Sequence, residues 1–360
     1  MQYAIYSTSE DAWNGMYEAL QGANTSIYWE LYIFVDDDAG KRFFDLLEEK
    51  ARVGLDVKLI IDGFGSFSVS RRRIDSLRLA GVDVRVFHER KHRYRGLWQK
   101  VISRTHRKIL IIDRKIGFIG GVNIKKDMRE WLDLHVRIEG KAVRSLQRAF
   151  AKMYIICGGP KENVKPLLRY RFRVKQSLID FIYDDAGARV SHARKKYAEA
   201  LLKARERVIL FSPYYFPDRH FLKALWRARK RGVRVDLLIP FRSDLRIVTY
   251  AAYTLFSIMA KRGVNIHLLD RMMHGKGVVV DDDYAIIGSS NLDYTSFYDN
   301  YEANVRFRDK KFVRDLTYIL DEWIGKAKRF DAKAWERRGS LRRLKEWVAK
   351  KLYRTWHNRP

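Results

Sequence analysis

The chain has little cysteine or proline and no long apolar run. Of its 360 residues, Cys157 is the single cysteine and 6 are proline. One thiol excludes an intrachain disulfide and a metal site built from a cysteine cluster, and it fits a reducing compartment. The longest mostly apolar stretch, residues 247–260, is shorter than the roughly 20 residues that span a bilayer, and the N-terminal residues do not resemble a signal peptide. We therefore expect a folded protein that does not cross a membrane.

Acidic residues are few relative to basic ones. There are 43 Asp and Glu against 72 Lys and Arg, which gives a formal net charge of +29. Such a charge favours polyanionic partners, namely nucleic acid, an anionic lipid surface or phosphate-bearing substrates, and does not choose among them. The 47% of hydrophobic residues is enough for one large core or two ordinary ones.

Two segments repeat one another in their polar residues. HRKILIIDRKIGFIGGVNI begins at His106, and HGKGVVVDDDYAIIGSSNL begins 168 residues later at His274. The same offset relates four further pairs: Lys108 and Lys276, Asp113 and Asp281, Gly120 and Gly288, Asn123 and Asn291. A shared fold would explain the repeated apolar pattern but not the repeated polar residues. The repeat therefore indicates a duplicated functional unit.

Each copy reads as helix, strand, helix, strand, a hairpin with the motif, and a further strand. This alternation predicts an α/β fold in which a mixed sheet is covered on both faces. A Gly-Gly-Pro cluster within residues 158–166 marks the joint. We predict two pseudo-symmetric α/β/α sandwich halves, residues 1–157 and 168–330, with the active site at their interface. Residues 331–360 are predicted to form a basic amphipathic tail.

The motif residues suit phosphate chemistry. Side chains two residues apart in a strand project from one face, so each histidine stands beside a lysine. Lysine supplies charge and hydrogen-bond donors, and imidazole can act as nucleophile, acid or base. Glycine in the following turn allows close backbone approach, and the asparagine amide can donate to a phosphoryl oxygen. Two such strands facing each other would surround one phosphorus centre, as phosphoryl transfer requires.

The candidate site residues fall into two groups. The catalytic candidates are His106, Lys108, Asp113, His274, Lys276 and Asp281. The phosphate-binding or orienting candidates are Asn123, Asn291, Asp133 and Glu302. Asp133 and Glu302 occupy equivalent places in the halves and can each orient an imidazole. Asp113 and Asp281 complete the motifs, but they lie an odd number of positions from the histidines and are interpreted as mainly structural. No metal site is predicted.

These residues resemble the signature of the phospholipase D superfamily, a pair of HxKxxxxD motifs. Over residues 27–307, the stretches ELYIF, IIDGFGS, SPYYFPD and GSSNLDYTSFYDNYEANV resemble bacterial cardiolipin synthases of the short type, which lack N-terminal membrane helices. The resemblance implies two phospholipase D-like halves and a phosphohistidine intermediate, without a metal or other cofactor. It makes His106 the nucleophile and His274 the acid and base.

The resemblance also implies a substrate and a location. A phosphatidyl group would move from phosphatidylglycerol or another glycerophospholipid to the glycerol headgroup of a second phosphatidylglycerol. The protein would be peripheral, bound to the anionic cytoplasmic face of a bacterial inner membrane. Phospholipid hydrolysis, a nuclease and a non-catalytic binding protein remain alternatives, so nucleic acid is not excluded as a partner. The sequence does not indicate an oligomeric state.

Two basic segments are candidates for membrane contact. From Ser340, SLRRLKEWVAKKLYRTW places Leu and Trp at helical spacing among Lys and Arg, which is typical of an interfacial helix or of a helix packed on the body. Residues 88–104, HERKHRYRGLWQKVISR, interleave cations with aromatic residues. They are interpreted as a membrane-facing rim, a nucleic-acid contact or a solvated loop. Residues 247–260 are interpreted as a core helix, with an acyl-chain groove as the alternative.

Overall fold

The computed structural model describes residues 2–88, 103–169 and 178–357, without the side chains of 354, 356 and 357. The first half contains β1 (Tyr3–Thr8), α1 (Ser9–Gln21), β2 (Ser26–Leu31), α2 (Lys41–Arg52), β3 (Asp56–Asp62), α3 (Arg71–Leu79), β4 (Asp83–Phe87), β5 (Ile109–Ile112), β6 (Ile116–Gly120), β7 (Leu132–Glu139) and α4 (Val143–Ile156). A short helix, α5 (Lys165–Leu168), follows.

The second half repeats this order with small additions. It contains β8 (Ile179–Asp184), α6 (His192–Lys203), β9 (Arg207–Phe211), β10 (Tyr215–Phe216), α7 (Arg219–Lys230), β11 (Arg234–Pro240), α8 (Arg246–Lys261), β12 (Asn265–Leu269), β13 (Gly277–Val280), β14 (Tyr284–Gly288), β15 (Leu292–Asp293), β16 (Glu302–Phe307) and α9 (Lys310–Lys326). The chain continues through β17 (Lys328–Arg329), α10 (Ala332–Glu336) and α11 (Ser340–His357).

Both large sheets are mixed and share one topology. The first has strand order β1-β7-β6-β5-β2-β3-β4, and the second has β17-β12-β11-β9-β13-β14-β16-β8. In each, three strands joined through helices run parallel, and a hairpin continues the sheet with antiparallel strands. The predicted α/β fold with two pseudo-symmetric halves is confirmed. The boundaries 1–157, 168–330 and 331–360 stay a prediction.

The motif strands are apolar on both faces because they separate two cores. In β5, Ile109 and Ile111 pack in a central core between the sheets, whereas Leu110 and Ile112 pack in an outer core of the first half. The central core also contains Phe312 of α9, whose ring lies 5.1 Å from that of Tyr3 on β1. Side chains of both halves therefore bury one another, which fixes how the two motifs face each other.

The C-terminal helix α11 has two apolar faces. One face packs on α8, where Ala349 and Tyr353 are buried with Ala251. A second row remains exposed, formed by Leu341, Leu344, Trp347, Val348 and Leu352. The buried face agrees with the interpretation of the tail as a helix packed on the body, and the exposed row agrees with its interpretation as an interfacial helix. In the described ranges, no helix is long and apolar enough to cross a bilayer.

The other two candidate segments are only partly accounted for. Most of the basic segment, residues 89–102, lies outside the described residues. The apolar stretch 247–260 falls within α8, which buries one face that includes Tyr253 and Phe256 and leaves Ile247 and Ile258 exposed. This helix packs on the outer core of the second half, as a core helix does.

Candidate active site

The two motifs lie where the halves meet. Residues 106–108 and 274–276 lie outside the regular strands, immediately before β5 and β13. The expectation that they lie inside regular strands is therefore wrong in detail. The physical reason is that their backbone pairs with the opposite half before each segment joins its own sheet.

Backbone hydrogen bonds show this crossing. The N–H of His106 donates to the carbonyl of Tyr301 at 3.0 Å. The N–H of Tyr301 donates in turn to the carbonyl of Arg104 at 2.9 Å. The equivalent contact joins the His274 N–H to the Leu132 carbonyl at 2.6 Å. Each histidine is thus positioned by main chain from the other half.

The carboxylates cross in the same way. Nδ1 of His106 lies 3.0 Å from a carboxylate oxygen of Glu302, on β16 of the second half. Nδ1 of His274 lies 2.8 Å from a carboxylate oxygen of Asp133, on β7 of the first half. A carboxylate at this position accepts a hydrogen bond from the protonated Nδ1, which leaves the unprotonated Nε2 for chemistry. Each motif histidine therefore takes its carboxylate partner from the other half.

Both carboxylates are buried, and their neighbours favour the ionised form. Burial raises the pKa of Asp133 and of Glu302, but the neighbouring histidine and lysine outweigh it, so that each pKa lies below its ordinary value. Glu302 also accepts a hydrogen bond from the Ser289 hydroxyl. The equivalent residue in the first half is Gly121, where an added Cβ would lie 2.2 Å from Oδ1 of Asp133. The turn sequence is GGVN in the first half and GSSN in the second. Glu302 therefore has a serine hydroxyl as a hydrogen-bond donor, whereas Asp133 has a glycine at the equivalent position.

The two lysines are buried beside the histidines. Nζ of Lys276 lies 2.9 Å from both ring nitrogens of His274, and Nζ of Lys108 donates to the His106 carbonyl at 2.7 Å. Burial lowers the pKa of Lys276 to about 8. Burial also lowers the pKa of Lys108, and the charge of Lys276 lowers it further. Two ammonium groups that disfavour each other in a buried site favour an anion between them.

Burial disfavours the charged form of both imidazoles. Burial lowers the pKa of His106 to about 4, despite the opposing charge of Glu302. Burial and the charge of Lys276 lower the pKa of His274. A neutral imidazole with an unprotonated Nε2 is the form that attacks phosphorus.

The asparagines lie in the loops after the hairpins. Oδ1 of Asn123 accepts from the Ile33 N–H at 3.2 Å, so this oxygen holds the loop after β2. Asn291 is buried, and its Oδ1 has no hydrogen-bond partner in the parts of the chain that the structure describes. Its amide is therefore the less constrained of the two.

The motif aspartates do not reach the site. The Asp113 carboxylate accepts from the backbone N–H groups of residues 24–26, and the Asp281 carboxylate accepts from those of residues 205–207. Both aspartates have left-handed backbone, with φ of 50° and 46°. Their place among the catalytic candidates is corrected: they tie the hairpin turn to the segment that enters β2 or β9.

Aromatic side chains that the sequence interpretation omitted contact the histidines. The Tyr32 ring lies edge-on to His106 at 5.0 Å, and the Tyr214 and Trp131 rings lie 6.5 and 5.5 Å from His274. Tyr32 and Tyr214 follow strands β2 and β9. Loops after parallel strands commonly form binding sites, and this position was the available signal.

The arrangement suits phosphodiester chemistry more than metal chemistry. No group of three or more His, Cys, Asp or Glu side chains within residues 2–88, 103–169 and 178–357 is placed to hold a metal ion. Two carboxylate-held imidazoles and two buried lysines instead lie together at the junction of a duplicated α/β fold, where Lys276 acts on His106 and Lys108 acts on His274. This combination defines a site of the phospholipase D class.

Comparisons with known proteins agree with this class. The sequence model of the family described as "Cardiolipin synthase, PLD-like domain" matches residues 16–154 and 197–324. A cardiolipin synthase of Geobacillus kaustophilus is 31% identical over 98% of this chain and 72% of its own length. Cardiolipin synthase 1 of Staphylococcus epidermidis is 29% identical over 96% of this chain and 72% of its own length.

A solved structure shares the fold. Phosphatidylserine synthase of Haemophilus influenzae superposes with a TM-score of 0.78 at 14% identity, covering 98% of this chain and 93% of that one. The chain therefore belongs to the cardiolipin synthase family of phospholipase D-like proteins, and it is an enzyme of that superfamily.

Proposed function

We propose that the chain is a cardiolipin synthase, which transfers the phosphatidyl group of one phosphatidylglycerol to the glycerol headgroup of another. The observation that carries the proposal is the crossed pairing of each histidine with a carboxylate of the other half, at 3.0 and 2.8 Å. The names of the relatives support the lipid substrate.

The first step would form a phosphohistidine. Nε2 of His106 attacks phosphorus, an N–P bond forms, and the P–O bond to the departing glycerol breaks. His274 donates a proton to the departing oxygen. The low pKa of His106 favours it as the nucleophile, and the negative charge of a bound phosphodiester would raise the pKa of His274 so that it carries that proton.

The second step would reverse the roles. The hydroxyl of the acceptor gives its proton to His274, its oxygen attacks phosphorus, and the N–P bond breaks to release cardiolipin and restore His106. Lys108, Lys276, Asn123 and Asn291 would hold the phosphoryl oxygens throughout. The burial of both histidines favours transfer to an alcohol over hydrolysis, because it limits the access of water.

We further propose that the enzyme works at an anionic membrane surface, on the cytoplasmic face of a bacterial inner membrane. The net charge of +29 supports attraction to such a surface. The exposed apolar row of α11, interleaved with Lys and Arg, supports contact with it.

The test is a lipid assay with two variants. Purified protein is incubated with phosphatidylglycerol vesicles, and with plasmid DNA in parallel. We expect the parent protein to produce cardiolipin and glycerol. His106→Ala and His274→Ala should each reduce turnover by about 10³-fold or more. His220→Ala, an exposed histidine on α7, is the matched control. Phosphatidic acid alone, nicked plasmid or near-full turnover in either site variant would refute the proposal.

A further inference from the structure

Two exposed phenylalanines lie on the loop that follows β3 in the first half. Phe64 is 61% exposed and Phe67 is 73% exposed. Large aromatic side chains this exposed are costly in water, and when they are grouped they mark a contact surface.

This loop is held firmly in place. The buried Asp62 carboxylate accepts from the N–H groups of Phe64 and Gly65 at 2.9 and 3.0 Å. The buried hydroxyl of Ser66 donates to the Tyr32 carbonyl at 3.0 Å. The polar groups of the loop are thus anchored inward while both phenylalanine rings face outward.

The second half has an equivalent apolar loop. The segment after β11 occupies the same topological position, and Leu245 and Ile247 are about half exposed there. It is also anchored: the Tyr214 hydroxyl donates to Asp244 at 2.7 Å, and the Ser243 and Thr249 hydroxyls lie 2.6 Å apart. Both halves therefore present exposed apolar side chains at the carboxyl ends of equivalent strands, on a loop in the first half and on the loop and first turn of α8 in the second.

Both loops border the histidine site. The first rests on Tyr32, whose ring lies 5.0 Å from that of His106. The second rests on Tyr214, whose ring lies 6.5 Å from that of His274. The apolar side chains therefore flank the site from both sides.

We propose that Phe64, Phe67, Leu245 and Ile247 form a membrane-inserting rim, which seats the histidine site against the lipid headgroups. This inference rests on the proposed function and specifies where the bilayer contacts the protein. The four side chains enter the interfacial region, and the phosphodiester of a lipid reaches the site without leaving the bilayer.

Charge beside the rim matches an anionic lipid surface. The Arg104 guanidinium lies 4.4 Å from the Phe64 ring centroid. Arg242 and Arg246 are exposed on either side of Leu245. Asp62 and Asp244 are acidic, but the Asp62 carboxylate is buried under the loop and that of Asp244 accepts a hydrogen bond from the Tyr214 hydroxyl. Apolar side chains flanked by arginines are the combination that anionic bilayers bind.

The first half, which carries Phe64 and Phe67, also offers a matched control. Val53 is 69% exposed and Leu79 is 89% exposed. They precede β3 and β4, and so lie at the amino ends of the strands, opposite the site. Removing them deletes two exposed apolar side chains without touching the rim.

Vesicle co-sedimentation tests the rim. Vesicles contain equal parts of phosphatidylglycerol and phosphatidylcholine, and every protein carries His106→Ala so that lipid is not consumed. We expect Phe64→Ser with Phe67→Ser to weaken binding about tenfold, and Leu245→Ser with Ile247→Ser to weaken it in the same direction. Val53→Ser with Leu79→Ser should stay within about twofold of the parent. Circular dichroism and thermal melting check that each variant folds.

Three outcomes would overturn the rim. They are a parent protein that does not bind the vesicles, rim variants that bind as well as the parent, and a control variant that loses as much binding as they do. Light scattering tests a fourth outcome, in which the parent is a dimer and the rim variants are monomers with unaltered vesicle binding. The four side chains would then form a contact between two copies of the chain and not a contact with the bilayer. Binding is measured without turnover, so failure of the rim and failure of cardiolipin synthesis are separate results.

Discussion

At the scale of the residue, the burial of Lys276 sets an upper pH limit on activity. Burial lowers its pKa from an ordinary value of 10.5 to about 8. A lowered lysine pKa means that the charge is present below about pH 8 and is lost above it. We therefore expect kcat/KM for dispersed phosphatidylglycerol to fall as the pH rises through about 8.

The measurement is a pH profile of kcat/KM from about pH 6 to about pH 10, with circular dichroism at each pH as the control for unfolding. A profile that stays level to about pH 10 would contradict a charged, buried lysine at the phosphate.

The sequence identified the motif residues but not all of their contacts. His106 and His274 stood out because polar residues recur at equal spacing, which packing alone does not require. Which carboxylate serves which histidine could not be predicted, because the pairs form only when the halves dock. Tyr32 and Tyr214 were missed because a tyrosine after an apolar strand is also common in cores.

At the scale of the element, the hairpin between β13 and β14 depends on Asp281. Its carboxylate accepts from three consecutive backbone N–H groups, at 3.0, 2.9 and 2.8 Å. Asp281→Ala leaves these donors without their acceptor, and we expect the free energy of unfolding to fall by about 1–3 kcal/mol. Turnover below the melting transition should remain within about twofold, because the carboxylate does not reach the histidines.

Urea unfolding and the lipid assay together check this prediction. Asp282→Ala, at the exposed neighbouring aspartate of the same turn, is the control. An Asp281→Ala protein of normal stability that has lost its turnover would return this residue to the catalytic group.

The elements that the sequence predicted are those with strong patterns. Helices α2 and α7, for example, are followed by Gly54 and Gly232, and both glycines have positive φ. Strands β1 and β8 were not predicted, because their burial is intermediate or irregular and their pairing with β7 and β16 is a tertiary choice. The residue pattern predicts that the motif segments are strands, whereas in the structure their backbone pairs across the interface.

At the scale of the whole molecule, the two halves form one functional unit. The central core contains side chains from both sheets, and each half supplies the carboxylate that the other half's histidine needs. The sequence predicted an interfacial site because two half-motifs make one phosphate site. It could not decide the role of the tail, since an amphipathic pattern fits both the packed and the exposed face of α11.

The most direct test of the account is to trap the phosphatidyl group on one histidine. A phosphatidyl ester of p-nitrophenol is a suitable donor, because nitrophenolate departs without a proton from His274. With His274→Ala we predict a stoichiometric burst of nitrophenolate, slow further turnover, and a phosphatidyl adduct on His106 by mass spectrometry after an alkaline quench. The same adduct on His274 in a His106→Ala protein, or turnover without any adduct, would contradict the account.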